Sequence, residues 1–161
     1  MSKIDDNKIN YKSYQIILSV ISLINKINNA AFFEDRYLPF KVPSDIQNIY
    51  NLTELDLDYV YLKILPDEIC DLVNLKILVL ANNMLSTLPK KFYKLKQLQQ
   101  LYIDINKFQK IPEVIFRLRR LKTLYATNNS ITLIPDEISD LKKLEELYLS
   151  NNPIKDVSLE I

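Results

Sequence analysis

From Leu52 onward, apolar residues return in a frame of 23 positions. One period holds Leu75, Leu78, Leu80, Asn83, Leu85, Leu88, Pro89, Phe92 and Leu95. The next holds Leu98, Leu101, Ile103, Asn106, Phe108, Ile111, Pro112, Ile115 and Leu118, and a third runs from Leu121 to Leu141. The same slots are filled from Leu52 to Leu72, and again from Leu144 to Ile161. Each period has two halves. In the first, LxxLxL, apolar residues alternate, which predicts a short strand with one face inward. In the second, LPxxIxxL, the apolar spacings of three and four predict a short helix or helical turn, with proline in its first turn where a missing N–H costs least.

A single coil of this kind has an apolar interior that only its neighbours can cover, so the repeats must stack as a solenoid. Stacking puts the strands into a parallel sheet on one side and the short helices on the other. Strands pack more closely than helical segments, so the sheet should line the concave side of a short α/β horseshoe. Leu78, Leu80, Leu101, Ile103, Leu124 and Leu147 are expected in its core. Asn83, Asn106, Asn129 and Asn152 recur where the chain leaves the strand, where a buried amide can satisfy backbone groups of the turn. Val60 interrupts this ladder and should leave its turn less well tied.

The ends depart from the frame. Tyr14, Ile17, Leu18, Ile21, Ile24 and Ile27 share one helical face, so residues 1–28 are predicted to hold an N-terminal capping helix. A membrane-surface or partner-binding helix is the rival reading. Residues 29–51 read as a degenerate first repeat: Phe32, Val42, Pro43, Ile46 and Ile49 fit, whereas Asn29, Glu34, Tyr37 and Pro39 do not. Full repeats follow at 52–74, 75–97, 98–120 and 121–143, with a truncated one at 144–161. The last coil is left open, and the chain, expected to be a monomer, could self-associate there.

These motifs resemble the leucine-rich repeat family over Leu52 to Ile161. The LPxxIxxL half is similar to the intracellular class found in Ras-binding and cell-polarity scaffolds. The resemblance implies a leucine-rich repeat solenoid that binds another protein through its concave sheet, with small GTPases or signalling proteins as the partner class. A substrate-recognition adaptor of an enzyme complex, such as a ubiquitin ligase, is the alternative, although no recruiting motif is visible.

Composition narrows the chemistry. The chain of 161 residues has no histidine, no glycine and one cysteine. The commonest general base and metal ligand is therefore missing, glycine-rich phosphate loops are excluded, and neither disulfides nor a cysteine-built metal site can form within the chain. No cofactor or metal is expected, and the chain reads as a non-enzyme. Cys70 has acidic neighbours, Asp67, Glu68 and Asp71, which disfavour a thiolate; it reads as packing in the convex segment. The bias toward Ile, Asn, Lys and Tyr matches AT-rich codons and reflects genome composition. The stretch from Ile16 to Ile24 is too short to span a bilayer, and Asp5 and Asp6 precede it where a signal peptide would carry positive charge. A cytoplasmic protein is expected.

Two surfaces stand out. Between the strand leucines, outward positions form three columns on the concave sheet: Glu54, Ile77, Gln100, Thr123, Glu146; then Asp56, Val79, Tyr102, Tyr125, Tyr148; then Asp58, Ala81, Asp104, Thr127, Ser150. Within them Asp56, Asp58, Ile77, Val79, Gln100, Tyr102, Asp104, Thr123, Tyr125 and Tyr148 are the candidate protein-binding residues. The tyrosines can serve as large, stiff contacts or simply shield the sheet. The second surface is basic. From Ser86 to Lys122 ten cations face only Asp104 and Glu113, a local net charge of +8 within a chain of +1. Lys90, Lys91, Lys94, Arg117, Arg119 and Arg120 form its candidate convex patch. It reads as a solvated face or as a dock for an acidic partner or anionic lipid; no motif points to specific nucleic acid.

Overall fold

The computed structural model describes residues 51–157. The expected capping helix, the degenerate first repeat apart from Asn51, and residues 158–161 lie outside the described residues.

Five strands, β1 (Glu54–Asp56), β2 (Ile77–Val79), β3 (Gln100–Tyr102), β4 (Thr123–Tyr125) and β6 (Glu146–Tyr148), form one parallel sheet in chain order. A separate pair joins β5 (Leu133–Ile134) to β7 (Asp156–Val157), also in parallel. The register repeats every 23 residues: Leu55 pairs with Leu78, Leu78 with Leu101, Leu101 with Leu124, and Leu124 with Leu147. Alternation does the rest. The central leucine of each strand points into the coil and its two neighbours point out. The sheet is continued beyond the strands by bonds such as Leu80 N–H to the Tyr102 carbonyl at 2.8 Å and Ile103 N–H to the Tyr125 carbonyl at 2.8 Å.

The expected convex helices are 3-10 segments: Asp67–Asp71, Phe92–Lys94, Glu113–Arg117 and Asp136–Asp140. The spacing of three explains why. In the first coil Ile69 N–H donates to the Pro66 carbonyl, Leu72 to Ile69 and Leu75 to Leu72, each across three residues. A three-residue turn keeps Ile69, Leu72 and Leu75 on one inward edge, which an α-helix of this length would not. Proline sits differently from the sequence expectation. Pro66, Pro112 and Pro135 occupy the extended cap position just before the helical segment, where each contributes a carbonyl acceptor rather than a place in the first turn.

The core runs unbroken along the stack. Leu78, Leu80, Leu101, Ile103 and Leu124 are fully buried, as are Phe92, Phe108, Ile115 and Leu118. Leu147 is a correction: expected in the core, it is half-buried, as are Leu144 and Leu149. The cause is that β6 has a strand neighbour on one side only among the described residues.

The asparagine ladder works across coils. The Asn106 amide donates to the Leu80 carbonyl of the preceding coil at 2.9 Å and to Ile103 and Asp104 of its own, while its Oδ1 accepts Leu85 N–H at 2.8 Å. Asn83, Asn129 and Asn152 repeat the arrangement. Each asparagine thus ties the turn of the coil before it as well as its own. The carbonyls of Leu80, Ile103 and Ala126 each receive two amide donors. Val60 changes this at one place. Among the described residues, the Leu57 carbonyl receives only the amide of Asn83, because Val60 offers no side-chain donor, and Val60 packs into the core instead. That turn also differs in shape, with a second left-handed residue at Tyr61 (φ 57°).

Candidate functional site

The outward residues of the sheet assemble into one surface, because parallel pairing stacks equivalent slots at about 4.8 Å. The register places Asp56, Val79, Tyr102, Tyr125 and Tyr148 in a single column. Its three tyrosines stack. The rings of Tyr102 and Tyr125 lie 4.8 Å apart at 16°, and those of Tyr125 and Tyr148 lie 4.1 Å apart at 11°. Tyr148 is the most open of the three at 39% exposure. Tyr102 donates its hydroxyl to the Gln100 amide oxygen at 3.1 Å. The hydrogen bond with Tyr148, together with desolvation and the nearby Glu146 carboxylate, pushes the Tyr125 phenol up to about 12. The three rings form a stiff aromatic ridge of the kind that makes contact area at low entropic cost.

The flanking columns are more polar. Glu54, Ile77, Gln100, Thr123 and Glu146 align in register. Thr123 contributes little surface: it is buried at 8%, and its hydroxyl donates to the Glu146 carboxylate at 3.3 Å. Glu54 and Asp56 are exposed, and Ile77, Val79 and Ala81 are half-exposed. In the third column Asp104 accepts both the N–H and the hydroxyl of Thr127 at 2.8 Å, and Asp58 accepts the Asn82 amide at 2.8 Å. These two carboxylates brace the strand exits.

The structure does not bring the convex cations together as one open patch. Lys94 pairs with Asp71 at 2.9 Å, and that hydrogen bond raises its pKa. Arg119 reaches the Asp140 carbonyl at 2.6 Å and its carboxylate at 3.6 Å. Arg120 bonds the Gln97 amide oxygen. Arg117 lies over the Tyr93 ring at 3.8 Å. Outside the candidate set, Lys122 pairs with Glu145 at 2.9 Å and Lys110 with Glu113 at 2.7 Å. Several of these contacts join residues 23 apart, so they link adjacent coils. Lys90 and Lys91 remain exposed. Much of the basic run is thus engaged in lacing the stack, at the small energies typical of exposed pairs.

Cys70 is fully buried, and desolvation, with Asp67 and Asp71 adding to it, pushes its thiol up to about 12. It is packing, as its neighbours suggested. No group of carboxylates and cysteine among the described residues is arranged to hold a metal ion. Among the described residues, no helix is long and apolar enough to cross a membrane.

One row was missed at the level of sequence. Tyr59, Asn82, Ile105, Asn128 and Asn151 all adopt positive φ, between 49° and 59°. They form the rim where the chain leaves the sheet. Asparagine tolerates this region, whereas β-branched Ile105 is strained in it. The Asn-Asn pairs at 82–83, 128–129 and 151–152 were the available signal.

Comparisons with known proteins agree with this geometry. A family model described as a leucine-rich repeat region matches residues 67–160. No curated protein matches the chain. Among solved structures, internalin C2 of Listeria monocytogenes is similar with a TM-score of 0.62 and 30% identity, over 74% of this chain and 51% of that one. A leucine-rich repeat protein of Leptospira interrogans matches with a TM-score of 0.54 and 30% identity, over 69% and 34%. An internalin, inlF, of Listeria monocytogenes matches with a TM-score of 0.56 and 27% identity, over 71% and 33%. The chain spans about a third to a half of the length of these structures. Register, asparagine ladder and family match lead to one assignment: the chain belongs to the leucine-rich repeat family.

Proposed function

We propose that this chain is a non-catalytic protein-interaction module that takes its partner on the concave sheet. The stacked ridge of Tyr102, Tyr125 and Tyr148 carries this reading, since stiff aromatic side chains held side by side on an open sheet are typical binding anchors. The convex rival is weakened by the engagement of Lys94, Arg119 and Arg120 with neighbouring coils. The similarity of the LPxxIxxL half to intracellular scaffolds supports a cytoplasmic location and a small GTPase or another signalling protein as the partner class.

The test is a parallel capture of cellular proteins on the wild-type chain, on Tyr102→Ala/Tyr125→Ala and on Arg117→Glu/Arg120→Glu, followed by affinity measurement on the protein identified. The tyrosine pair is expected to lose about 2 kcal/mol or more of binding. Normal binding by the tyrosine variant, with binding abolished by the charge reversal, would place the site on the convex face and overturn the proposal.

A further inference from the structure

The concave face is more than an aromatic ridge; its charges have one sign. Among the described residues, Glu54, Asp56, Asp58, Asp104 and Glu146 lie in its three columns, and no lysine or arginine does. This contrasts with a chain whose net charge is +1. The cations sit on the convex and lateral surfaces, where many are tied to neighbouring coils.

The carboxylates are also distributed unevenly. Glu54, Asp56 and Asp58 cluster on the first described coil, and the first two are exposed. The second coil presents the apolar side chains Ile77, Val79 and Ala81. Asp104 and Glu146 flank the tyrosine column on the coils that follow. From β1 to β6 there are four strand spacings, or about 19 Å. The face therefore runs from an acidic end, across an apolar step, to a tyrosine ridge edged by two more carboxylates.

We infer that the partner presents a cationic surface to the concave face, with lysine or arginine side chains meeting the carboxylates at both ends and apolar atoms resting on Ile77, Val79 and the tyrosines. The inference rests on the concave reading above and adds the partner's chemistry to it. Charge complementarity selects this occupant. An acidic partner, or an anionic lipid surface, would bring like charge against five carboxylates with no cation between them. Arginine also suits the outer faces of a tyrosine stack, which attract a guanidinium. The rim supports the assignment. Tyr59 and Ile105 stand beside Asp58 and Asp104, are 47% and 49% exposed, and hold a backbone conformation that asparagine would take with less strain. Apolar side chains kept exposed at such positions extend the contact surface past the strand ends.

The experiment uses the whole chain and two synthetic peptides of equal length, one rich in Lys and Arg and one rich in Glu, each with interspersed apolar residues. The chain has ten tyrosines and no tryptophan, so a fluorescence change on binding that disappears in Tyr102→Ala/Tyr125→Ala reports contact at the ridge. The basic peptide is expected to bind and the acidic one not. Neutralising the exposed carboxylates, Glu54→Gln/Asp56→Asn/Glu146→Gln, should weaken the basic peptide about tenfold or more at low salt, because these charges act through the open groove. Arg117→Glu/Arg120→Glu should leave that affinity unchanged. These substitutions touch no buried core position, and an unchanged melting temperature confirms that each variant is folded. Tighter binding of the acidic peptide overturns the inference. So does a carboxylate-neutralised chain that binds like wild type while Tyr102→Ala/Tyr125→Ala loses binding; in that case the concave reading stands and only the cationic partner falls. Loss of binding on convex charge reversal alone overturns both.

Discussion

Asn83→Ala should be the most damaging substitution in the asparagine ladder, and the reason lies in how its hydrogen bonds are shared. In the wild-type chain the Asn83 amide donates to the Leu57, Leu80 and Ala81 carbonyls, and its Oδ1 accepts the buried Leu62 N–H at 2.9 Å. Two of these partners survive the truncation. The Leu80 carbonyl keeps the Asn106 amide, and the Ala81 carbonyl keeps Tyr59 N–H. Among the described residues, Leu62 N–H and the Leu57 carbonyl have no other partner, because Val60 cannot supply the second donor that other coils have. Two buried backbone groups are orphaned at about 1–3 kcal/mol each, so the loss should be about 4 kcal/mol. In Asn106→Ala the Leu80 and Ile103 carbonyls keep donors from Asn83 and Asn129, and the Asp104 carbonyl keeps Asn82 N–H. Only Leu85 N–H is orphaned, for about 2 kcal/mol. Both truncations remove the same atoms, so the packing loss largely cancels in the comparison. Urea unfolding followed by circular dichroism measures the difference, provided the m-values agree. Equal losses, or a larger loss for Asn106→Ala, would refute the shared-donor account.

Two further outcomes follow from burial and from the tyrosine stack. Leu101→Ala should cost about 2–5 kcal/mol, whereas Leu147→Ala, half-buried on the last strand of the five-stranded sheet, should cost no more than about 2 kcal/mol; equal losses in urea unfolding would contradict the burial gradient. The phenol of Tyr125, pushed up from 10.0 to about 12, favours its neutral form in the folded chain. Its contribution to stability is therefore fully present below pH 10 and is lost as pH rises toward 12. A tyrosinate absorbance titration of the wild type minus Tyr125→Phe should show a step near the upper value, and a step at 10 would contradict the stack.

Much of this molecule is legible in the chain itself. The 23-residue return of Leu55, Leu78, Leu101, Leu124 and Leu147 determined the repeat, the inward face of each strand and the register of the sheet, because alternation and stacking leave no other way to bury those leucines. The same periodicity determined which side chains share a column, so the tyrosine row could be read from Tyr102, Tyr125 and Tyr148 alone. Tertiary structure decided what periodicity does not carry. Helix type depended on a chain of three-residue turns from Pro66 to Leu75, which apolar spacing only hints at. The state of the basic run depended on partners one coil away: Lys94 on Asp71 and Arg119 on Asp140 are adjacent only after the coils close. The consequence of Val60 depended on the ladder's direction. An asparagine ties the coil before it, so the residue exposed by the missing amide is Leu57, and its remaining support comes from Asn83, 26 positions further on. Local pattern specifies local geometry and its repetition; hydrogen bonds and ion pairs between coils are properties of the stack, where distance in space is no longer distance along the chain.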